Sequence, residues 1–270
     1  MIDFDQLEEI ILLIDKIYGF DFSGYSRASL LRRFNRFMEV SQMKSVVDLK
    51  FELLNNPEGF TMLINEIVVN VSEFFRDPEF FKSLVTNVFP YLASYPKINI
   101  WSAGCSHGEE IYSLNIFLKE LELKEKSRLY ATDISSKALT AAKKGIYLTK
   151  DFKNYATNYF MSEGKESLNQ YFIFNENKAI INADFKNNIL FANHNLVTDG
   201  VFKEFQLIVC RNVLIYFDQD LQNKALNLFY NSLPIHGFLA LGNKESLRFS
   251  NVYDNFKEID AIEKIYQKIK

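Results

Sequence analysis

The sequence predicts an α/β protein with a doubly wound, mostly parallel sheet that follows an all-helical N-terminal part. Between Leu7 and Val69, apolar residues recur at the three- and four-residue spacing of amphipathic helices. From Asn99 onward, short β-type runs alternate with helical patterns, as they do where parallel strands are joined by crossover helices. A chain of 270 residues is long enough for one large and one smaller domain.

The N-terminal pattern changes little over its length. Helical periodicity covers residues 7–17, 25–39, 46–54 and 59–69. We therefore expect residues 1–72 to form a helical domain. Residues 73–98 are predicted to be a linker and a first helix that lead into the second domain.

The second domain, 99–270, is predicted from three strand-to-helix units. KINIWSAGC is a short strand that ends in small residues, and EEIYSLNIFLKEL behind it is a helix. RLYATDIS and SSKALTAAKKG repeat this order, with Gly145 as a helix C-cap. QLIVCRNVLIYF and LQNKALNLFYNSL repeat it again, before GFLALGNKESL. Short alternating pieces with Asn-rich turns predict a small antiparallel insert at 170–195.

Composition excludes several classes of protein. Hydrophobic residues make up 48% of the chain and charged residues 24%, which is typical of globular domains. The net charge of −3 provides no general attraction for nucleic acid. The N-terminus has neither a basic nor an apolar leader, and no apolar run approaches the roughly 20 residues that cross a bilayer. We expect a cytoplasmic protein in which both cysteines are reduced.

The loop after the first predicted strand has the small residues of a ligand site. It reads WSAGCSHGEE and includes Gly104, but it lacks GxGxxG and a Lys-Ser/Thr phosphate loop. Asp133 ends the second strand, where a carboxylate can accept hydrogen bonds from both hydroxyls of a ribose. A glycine turn and a ribose carboxylate without a diphosphate site suit S-adenosylmethionine. The alternative, with nearly even weight, is that Asp133 caps the helix that begins near Ser135.

Arg211 and Asn212 follow a third strand at the same side of the sheet, and a charge at the end of a buried strand needs a partner. Tyr216 lies among aliphatic residues, and the pattern alone does not separate a core role from a catalytic one. A zinc site is not expected, because the candidate ligands lack paired spacing. These candidates are Cys105, His107, His194 and Cys210.

Taken in order, these segments resemble one family. They are NVSEFFRDPEFF, WSAGCSHGEE, YATDIS, AAKKGIY, NHNL, CRNVLIYFD and GFLALGNKESL. This order is similar to that of the CheR family, which are S-adenosylmethionine-dependent methyltransferases that esterify glutamates on chemoreceptors. The resemblance covers essentially the whole chain and implies a Rossmann-like catalytic domain, with residues 1–72 as a helical substrate-recognition domain. Three positions depart from the family pattern, since Ser72 and His107 stand where Thr is common and Ile111 where Pro is frequent.

The resemblance implies a role for each matched residue. Arg76 and Tyr216 would stand side by side as catalytic residues at the reaction centre. Glu109 would lie near the amino-acid end of the cofactor and Asp133 would hold its ribose. The full set of expected cofactor-binding residues is Asn70, Ser72, Arg76, Gly104, Glu109, Asp133, Asn195, Leu196, Arg211 and Asn212. No metal is implied, and S-adenosylhomocysteine would be the product.

The expected partner is the cytoplasmic helical domain of a chemoreceptor. Between residues 22 and 44 five basic residues stand against one acid, and Arg32, Arg33 and Arg36 are predicted to form a substrate-binding face for an acidic helix. The alternative is an ordinary solvated surface. We expect a monomer. We also expect no binding of nucleic acid, because the proline-containing motif of many nucleic-acid amine methyltransferases is missing after Arg211-Asn212.

Two further alternatives stay open at this point. The protein could be a catalytically silent member of the family that binds receptors or senses the cofactor. Arg76 could form a salt bridge with Asp77 or another surface acid and have no role at the reaction centre.

Overall fold

The computed structural model describes residues 2–67 and 72–270. Its α-helices are α1 Phe4–Tyr18, α2 Arg27–Val40, α3 Val46–Asn55, α4 Pro57–Ile67, α5 Pro78–Asn87, α6 Phe89–Leu92, α7 Glu109–Glu120, α8 Ser136–Lys144, α9 Phe152–Met161 and α10 Gln219–Ser232. Its strands are β1 Ile98–Ala103, β2 Ser127–Asp133, β3 Ile146–Leu148, β4 Phe172–Asn175, β5 Lys178–Ile181, β6 Ile189–Asn193, β7 Leu207–Cys210, β8 Phe238–Leu241, β9 Phe256–Asp260 and β10 Ile265–Lys268. The chain divides into a helical unit, which combines α1 to α4 with the segment Ile215–Asn223, and an α/β unit.

The helical unit has its own core. α1 begins with a capping box, in which Asp3 and Gln6 each accept a hydrogen bond from the other's backbone N–H, and it ends at Gly19 with φ 62°. The apolar faces of the four helices meet in one cluster, which includes Leu7, Ile10, Ile14, Phe22, Leu30, Phe34, Leu49, Leu53 and Leu63. The apolar faces that the periodicity predicted are thus buried against one another within this unit.

The α/β unit is built on a seven-stranded sheet in the order β6-β2-β1-β7-β8-β10-β9. The five strands from β6 to β8 are parallel, and β10 is antiparallel to both β8 and β9. The chain runs from β1 to one side through β2 and β6, and later to the other side through β7 and β8. The direction of winding therefore reverses between β1 and β7, where open α/β sheets bind ligands. The predicted fold class is confirmed.

The residues before β1 are part of this unit's core. α5 and α6 occupy most of the range predicted as linker, and they bury Phe80, Phe81, Leu84 and Phe89 against the sheet cluster. No helix within residues 2–67 and 72–270 has the length and hydropathy required to span a membrane.

Trp101 in β1 is fully buried and is the single tryptophan of the chain. Its indole N–H donates to the Thr132 hydroxyl at 2.8 Å, and its ring packs against the rings of Phe205 and Phe229. A buried indole that keeps a hydrogen-bond partner packs in the core without an unsatisfied donor.

The small antiparallel sheet has the order β3-β5-β4, and it corrects the predicted range of the insert. The range 170–195 contains β4 and β5, but β3 lies before it. The last strand within the range 170–195 is β6, which pairs in parallel with β2 and so belongs to the large sheet. Alternating apolar residues indicate that a segment is a strand, but they do not specify which strand it pairs with.

Candidate functional site

The carboxyl ends of the parallel strands lie along one edge of the large sheet. Ala103 pairs with Thr132, Asp133 with Asn193, and Cys210 with Leu241. Five loops consequently leave the sheet at this edge, and they begin at Gly104, Ile134, His194, Arg211 and Gly242. These loops contain five of the ten predicted cofactor-binding residues, and Asp133 and Glu109 lie directly beside them in β2 and α7.

The loop after β1 needs its glycines for conformation and for space. Gly104 has φ 79° and Gly108 has φ 94°, a region that L side chains rarely adopt. A Cβ on Gly104 would lie 2.4 Å from Cγ2 of Val213, so this loop packs closely against the loop after β7. The backbone N–H groups of Gly104 and Cys105 both donate to the Thr132 carbonyl at 2.8 Å. Gly104 is therefore required where the loops after β1 and β7 pack against each other.

Asp133 joins two of these loops. Its Oδ2 accepts a hydrogen bond from the Ser106 N–H and its Oδ1 accepts one from the Ser135 N–H, both at 2.8 Å. Burial raises the pKa of Asp133, and the two backbone hydrogen bonds partly offset that effect. The alternative role as a helix cap is wrong, because the Ser135 hydroxyl accepts from the Ala138 N–H and caps α8.

Glu109 is the first residue of α7 and is 5% exposed. The Ser72 hydroxyl donates a hydrogen bond to its carboxylate, while Oε2 is buried without a hydrogen-bond partner in the described part of the chain. Burial raises the pKa of Glu109 to about 7. A buried carboxylate oxygen that lacks a donor is a site for a cationic group.

Arg76 lies in a tightly constrained turn. Its neighbours Phe75 and Asp77 have φ values of 53° and 59°, which are uncommon for residues other than glycine. Phe75 is fully buried, and its N–H donates to the Ser113 hydroxyl at 3.0 Å. Arg76 itself is partly exposed, and among residues 2–67 and 72–270 it forms no salt bridge. The alternative ion pair with Asp77 is thus wrong.

Asp77 pairs instead with Arg211. The Arg211 side chain is 3% exposed, contacts Glu110 as well at 3.3 Å, and lies with its guanidinium 4.0 Å from the centre of the Phe80 ring. The charge at this strand end therefore has the partner that was predicted from the sequence. These ion pairs tie the end of β7 to the starts of α5 and α7.

The loop that carries Asn212 depends on Glu245, a residue that the sequence analysis did not single out. Oε2 of Glu245 accepts from the N–H groups of Gly242 at 2.7 Å and Asn212 at 3.0 Å. Oε1 accepts from those of Val213 at 2.9 Å and Leu214 at 2.7 Å. Burial raises the pKa of Glu245, and the four hydrogen bonds oppose this rise. The one feature of the sequence that points to Glu245 is the position of this acid shortly after a buried strand, in GNKES.

Two other predicted residues form the turn after β6. The Asn195 side-chain oxygen accepts from the Val197 N–H at 3.0 Å, and Leu196 is 8% exposed. The preceding His194 N–H donates to the Asp133 carbonyl, which places this turn beside Asp133. Asn70 lies outside the described residues. No group of three or more His, Cys, Asp or Glu residues in the described ranges is arranged to hold a metal ion.

The remaining predicted residues belong to the helical unit. Tyr216 lies in the segment Ile215–Asn223, and the Arg33 guanidinium is 5.7 Å from the centre of its ring. Arg33 is half-buried, whereas Arg32 is exposed and Arg36 pairs with Glu66 at 2.6 Å. The three arginines thus have three different environments. The predicted proximity of Tyr216 to Arg76 stays a prediction.

Comparison with known families agrees with this arrangement. The family "CheR methyltransferase, SAM binding domain" matches residues 70–265, and "CheR methyltransferase, all-alpha domain" matches residues 5–68. The chain belongs to the CheR methyltransferase family. The resemblance predicted from the motifs is thereby confirmed, and so is S-adenosylmethionine as the cofactor.

Several CheR relatives match over nearly their full length. "Putative methyltransferase Cher3" of Pseudomonas putida is 42% identical over 263 residues, which is 96% of each chain. "Chemotaxis protein methyltransferase" of Borreliella burgdorferi is 29% identical and the match covers 90% of this chain and 89% of the relative. "Chemotaxis protein methyltransferase 1" of Pseudomonas aeruginosa is 28% identical, with 93% and 92% covered.

The residues at the sheet edge fit S-adenosylmethionine. The unpartnered Oε2 of Glu109 suits the ammonium group of the cofactor. The carboxylate of Asp133 is buried at the end of β2, and a carboxylate in that place can accept hydrogen bonds from the hydroxyls of a ribose. The loop around Gly104 offers backbone that a ligand can approach closely.

Proposed function

We propose that this CheR protein transfers a methyl group from S-adenosylmethionine to glutamate side chains in the cytoplasmic helical domain of chemoreceptors. The observation that carries the proposal is Arg76, a partly exposed cation without a carboxylate partner in the described residues, in a turn that buried side chains hold. A guanidinium in this state suits a carboxylate substrate, which it can orient through the charge-assisted hydrogen bonds of its planar fork. The relatives named as chemotaxis protein methyltransferases support a substrate that takes part in chemotaxis.

The chemistry needs alignment more than proton transfer. The cofactor supplies an electrophilic methyl group on a sulfonium. A glutamate side chain with a pKa of about 4.3 is already ionised near neutral pH, so no general base is required. Arg76 would hold one carboxylate oxygen and leave the other free to attack, while the Tyr216 hydroxyl would support the opposite side of the centre.

Tritiated methyl transfer to purified receptor cytoplasmic domains tests the proposal. Incorporation that is released as volatile methanol by mild alkali identifies a carboxyl ester, and replacement of the receptor glutamates by glutamine should abolish it. Base-stable incorporation would contradict the ester assignment. Cofactor binding without transfer to a panel of receptors would favour a silent receptor-binding or cofactor-sensing module.

We expect Asp133→Ala to weaken S-adenosylhomocysteine binding by about 1.5–3 kcal/mol, because hydrogen bonds between its carboxylate and the ribose are lost. Titration calorimetry measures the affinity, and thermal unfolding shows whether the variant is folded. Asp254→Ala, which removes an exposed carboxylate from the same unit, is the matched control. Unchanged affinity in a folded Asp133→Ala variant would leave Asp133 only the role of joining the two loops.

Glu109 predicts how cofactor affinity depends on pH. Because burial raises the pKa of Glu109 to about 7, its carboxyl is increasingly neutral below that pH and attracts an ammonium group less. We expect S-adenosylhomocysteine affinity to fall as the pH drops from 8 to 6, by up to about tenfold per pH unit. Glu109→Gln should bind weakly with little pH dependence. If wild type and variant showed parallel profiles, another group would be responsible.

Charge reversal tests the substrate-binding face at its two more exposed arginines. We expect Arg32→Glu with Arg36→Glu to raise the Michaelis constant for receptor about fivefold to tenfold, while cofactor affinity stays unchanged. Wild-type activity should decline as salt screens the attraction. Lys16→Glu, an exposed reversal on α1, is the control for net charge. Equal effects of the reversal at Lys16 and at the arginines would exclude a local docking face.

A further inference from the structure

The segment that carries Tyr216 is held by main-chain hydrogen bonds within the helical unit. The Ser26 N–H donates to the Tyr216 carbonyl at 3.0 Å, and the Asp218 N–H donates to the Gly24 carbonyl at 2.7 Å. Between these two bonds, Tyr25 and Phe217 form an antiparallel bridge. The backbone is therefore fixed at Tyr216 and again two residues later, which restricts the direction in which the tyrosine side chain leaves the chain.

Side chains reinforce this pairing. The rings of Tyr25 and Phe217 pack edge to face with their centres 5.1 Å apart. The Asp218 carboxylate accepts a hydrogen bond from the Leu221 N–H at 2.9 Å and so closes the turn after Tyr216. The side chains of Phe217 and Asp218 thus each have a contact that adds to the main-chain hydrogen bonds.

Gly24 is required for space at this contact. A Cβ on Gly24 would lie 2.2 Å from Cγ and 2.6 Å from Cδ1 of Leu221, and 3.0 Å from Oδ1 of Asp218. Leu221 is 3% exposed, so its side chain has little room to move away. The backbone of Gly24 has no unusual φ, and any larger residue would push the segment from its present position.

We propose that the turn Gly24–Ser26 is a positioning element for Tyr216, so that the helical unit contributes to catalysis as well as to receptor recognition. The inference rests on the proposed role of Tyr216 in methyl transfer. The geometry of a reacting centre tolerates little displacement, since a shift of about 1 Å can lower a rate about 100-fold. Gly24 acts through the position of Tyr216 and is a positioning residue.

A rescue experiment in the full chain tests the idea. We expect Gly24→Ala to lower kcat about tenfold, with S-adenosylhomocysteine affinity unchanged. Gly24→Ala combined with Leu221→Ala should recover most of the loss, because the two atoms nearest the new Cβ, Cγ and Cδ1 of Leu221, are gone. Leu221→Ala alone completes the double-mutant cycle, because it gives the effect of truncating Leu221 by itself. Gly200→Ala is the control, because a Cβ there would meet no atom within 4 Å.

Hydrogen exchange gives a readout that does not depend on turnover. The Ser26 and Asp218 amides should exchange faster in Gly24→Ala than in wild type, and the double variant should restore their protection. The inference is overturned if exchange is unchanged, or if cofactor affinity falls in parallel with kcat. It is also overturned if Tyr216→Phe lowers kcat while Gly24→Ala does not. A wild-type chain that forms no base-labile ester would contradict the proposed function instead, and exchange would still decide whether the turn holds the segment.

Discussion

Arg76→Ala is expected to lower kcat for receptor methylation about 100- to 1,000-fold, which corresponds to about 3–4 kcal/mol of transition-state stabilisation. The reason is geometric, because Arg76 is the proposed partner of the reacting carboxylate and its turn is fixed by buried neighbours. S-adenosylhomocysteine affinity should change by less than about threefold, since the residue is assigned mainly to the acceptor. Single-turnover methyl transfer and calorimetric titration measure the two quantities separately.

Two variants sharpen this experiment. Arg76→Lys should recover only part of the activity, because an ammonium group cannot reproduce the planar fork of a guanidinium. Arg128→Ala removes an exposed arginine from β2 in the same unit and should leave kcat unchanged. If Arg76→Ala weakened cofactor binding as much as turnover, Arg76 would be a cofactor-binding residue and the carboxylate assignment would fail.

Glu245→Ala is expected to reduce the free energy of unfolding of the α/β unit by about 3–5 kcal/mol. Its two carboxylate oxygens accept four backbone N–H groups, and truncation leaves donors of the loop after β7 unsatisfied near a buried strand end. Denaturant unfolding measures the change. Because Asn212 is among the four donors, the variant should also bind S-adenosylhomocysteine more weakly.

Glu245→Gln separates shape from hydrogen bonding. Each oxygen of Glu245 accepts two N–H groups, so an amide NH₂ in place of either one would face two donors. We therefore expect the glutamine variant to lose a large part of the same stability, although its volume is unchanged. Glu258→Ala, at an exposed position on β9, should cost less than about 0.5 kcal/mol. A stable glutamine variant would show that the loop does not need the charge.

Local signals in the sequence predicted local structure well. Gly145 was expected as a C-cap and has φ 60° at the end of α8. The periodicity in residues 7–17 predicted α1, and the glycine that follows ends it. Such signals succeed because the physical cause, a cap or an apolar face, lies within a few residues of the effect.

Long-range partners were not predictable in the same way. β6 has the alternating pattern of the insert, and only its pairing with β2 places it in the large sheet. Glu245 lies more than thirty residues from three of its four donors, which are backbone groups and leave no trace in the sequence. Arg33 shares a helix and a charge with Arg32, but its guanidinium lies near the ring of Tyr216, a residue that is remote in the chain.

The single tryptophan has a practical consequence for the study of folding. Trp101 lies in the core of the α/β unit, and the helical unit contains no tryptophan, so indole fluorescence reports on one of the two units. Far-ultraviolet circular dichroism reports on helices in both. If the two signals change at different denaturant concentrations, the units unfold in separate steps, and a single two-state fit would assign the wrong stability to each. The fluorescence of Trp101, compared with circular dichroism, therefore tests whether the two units unfold cooperatively, and no added label is needed.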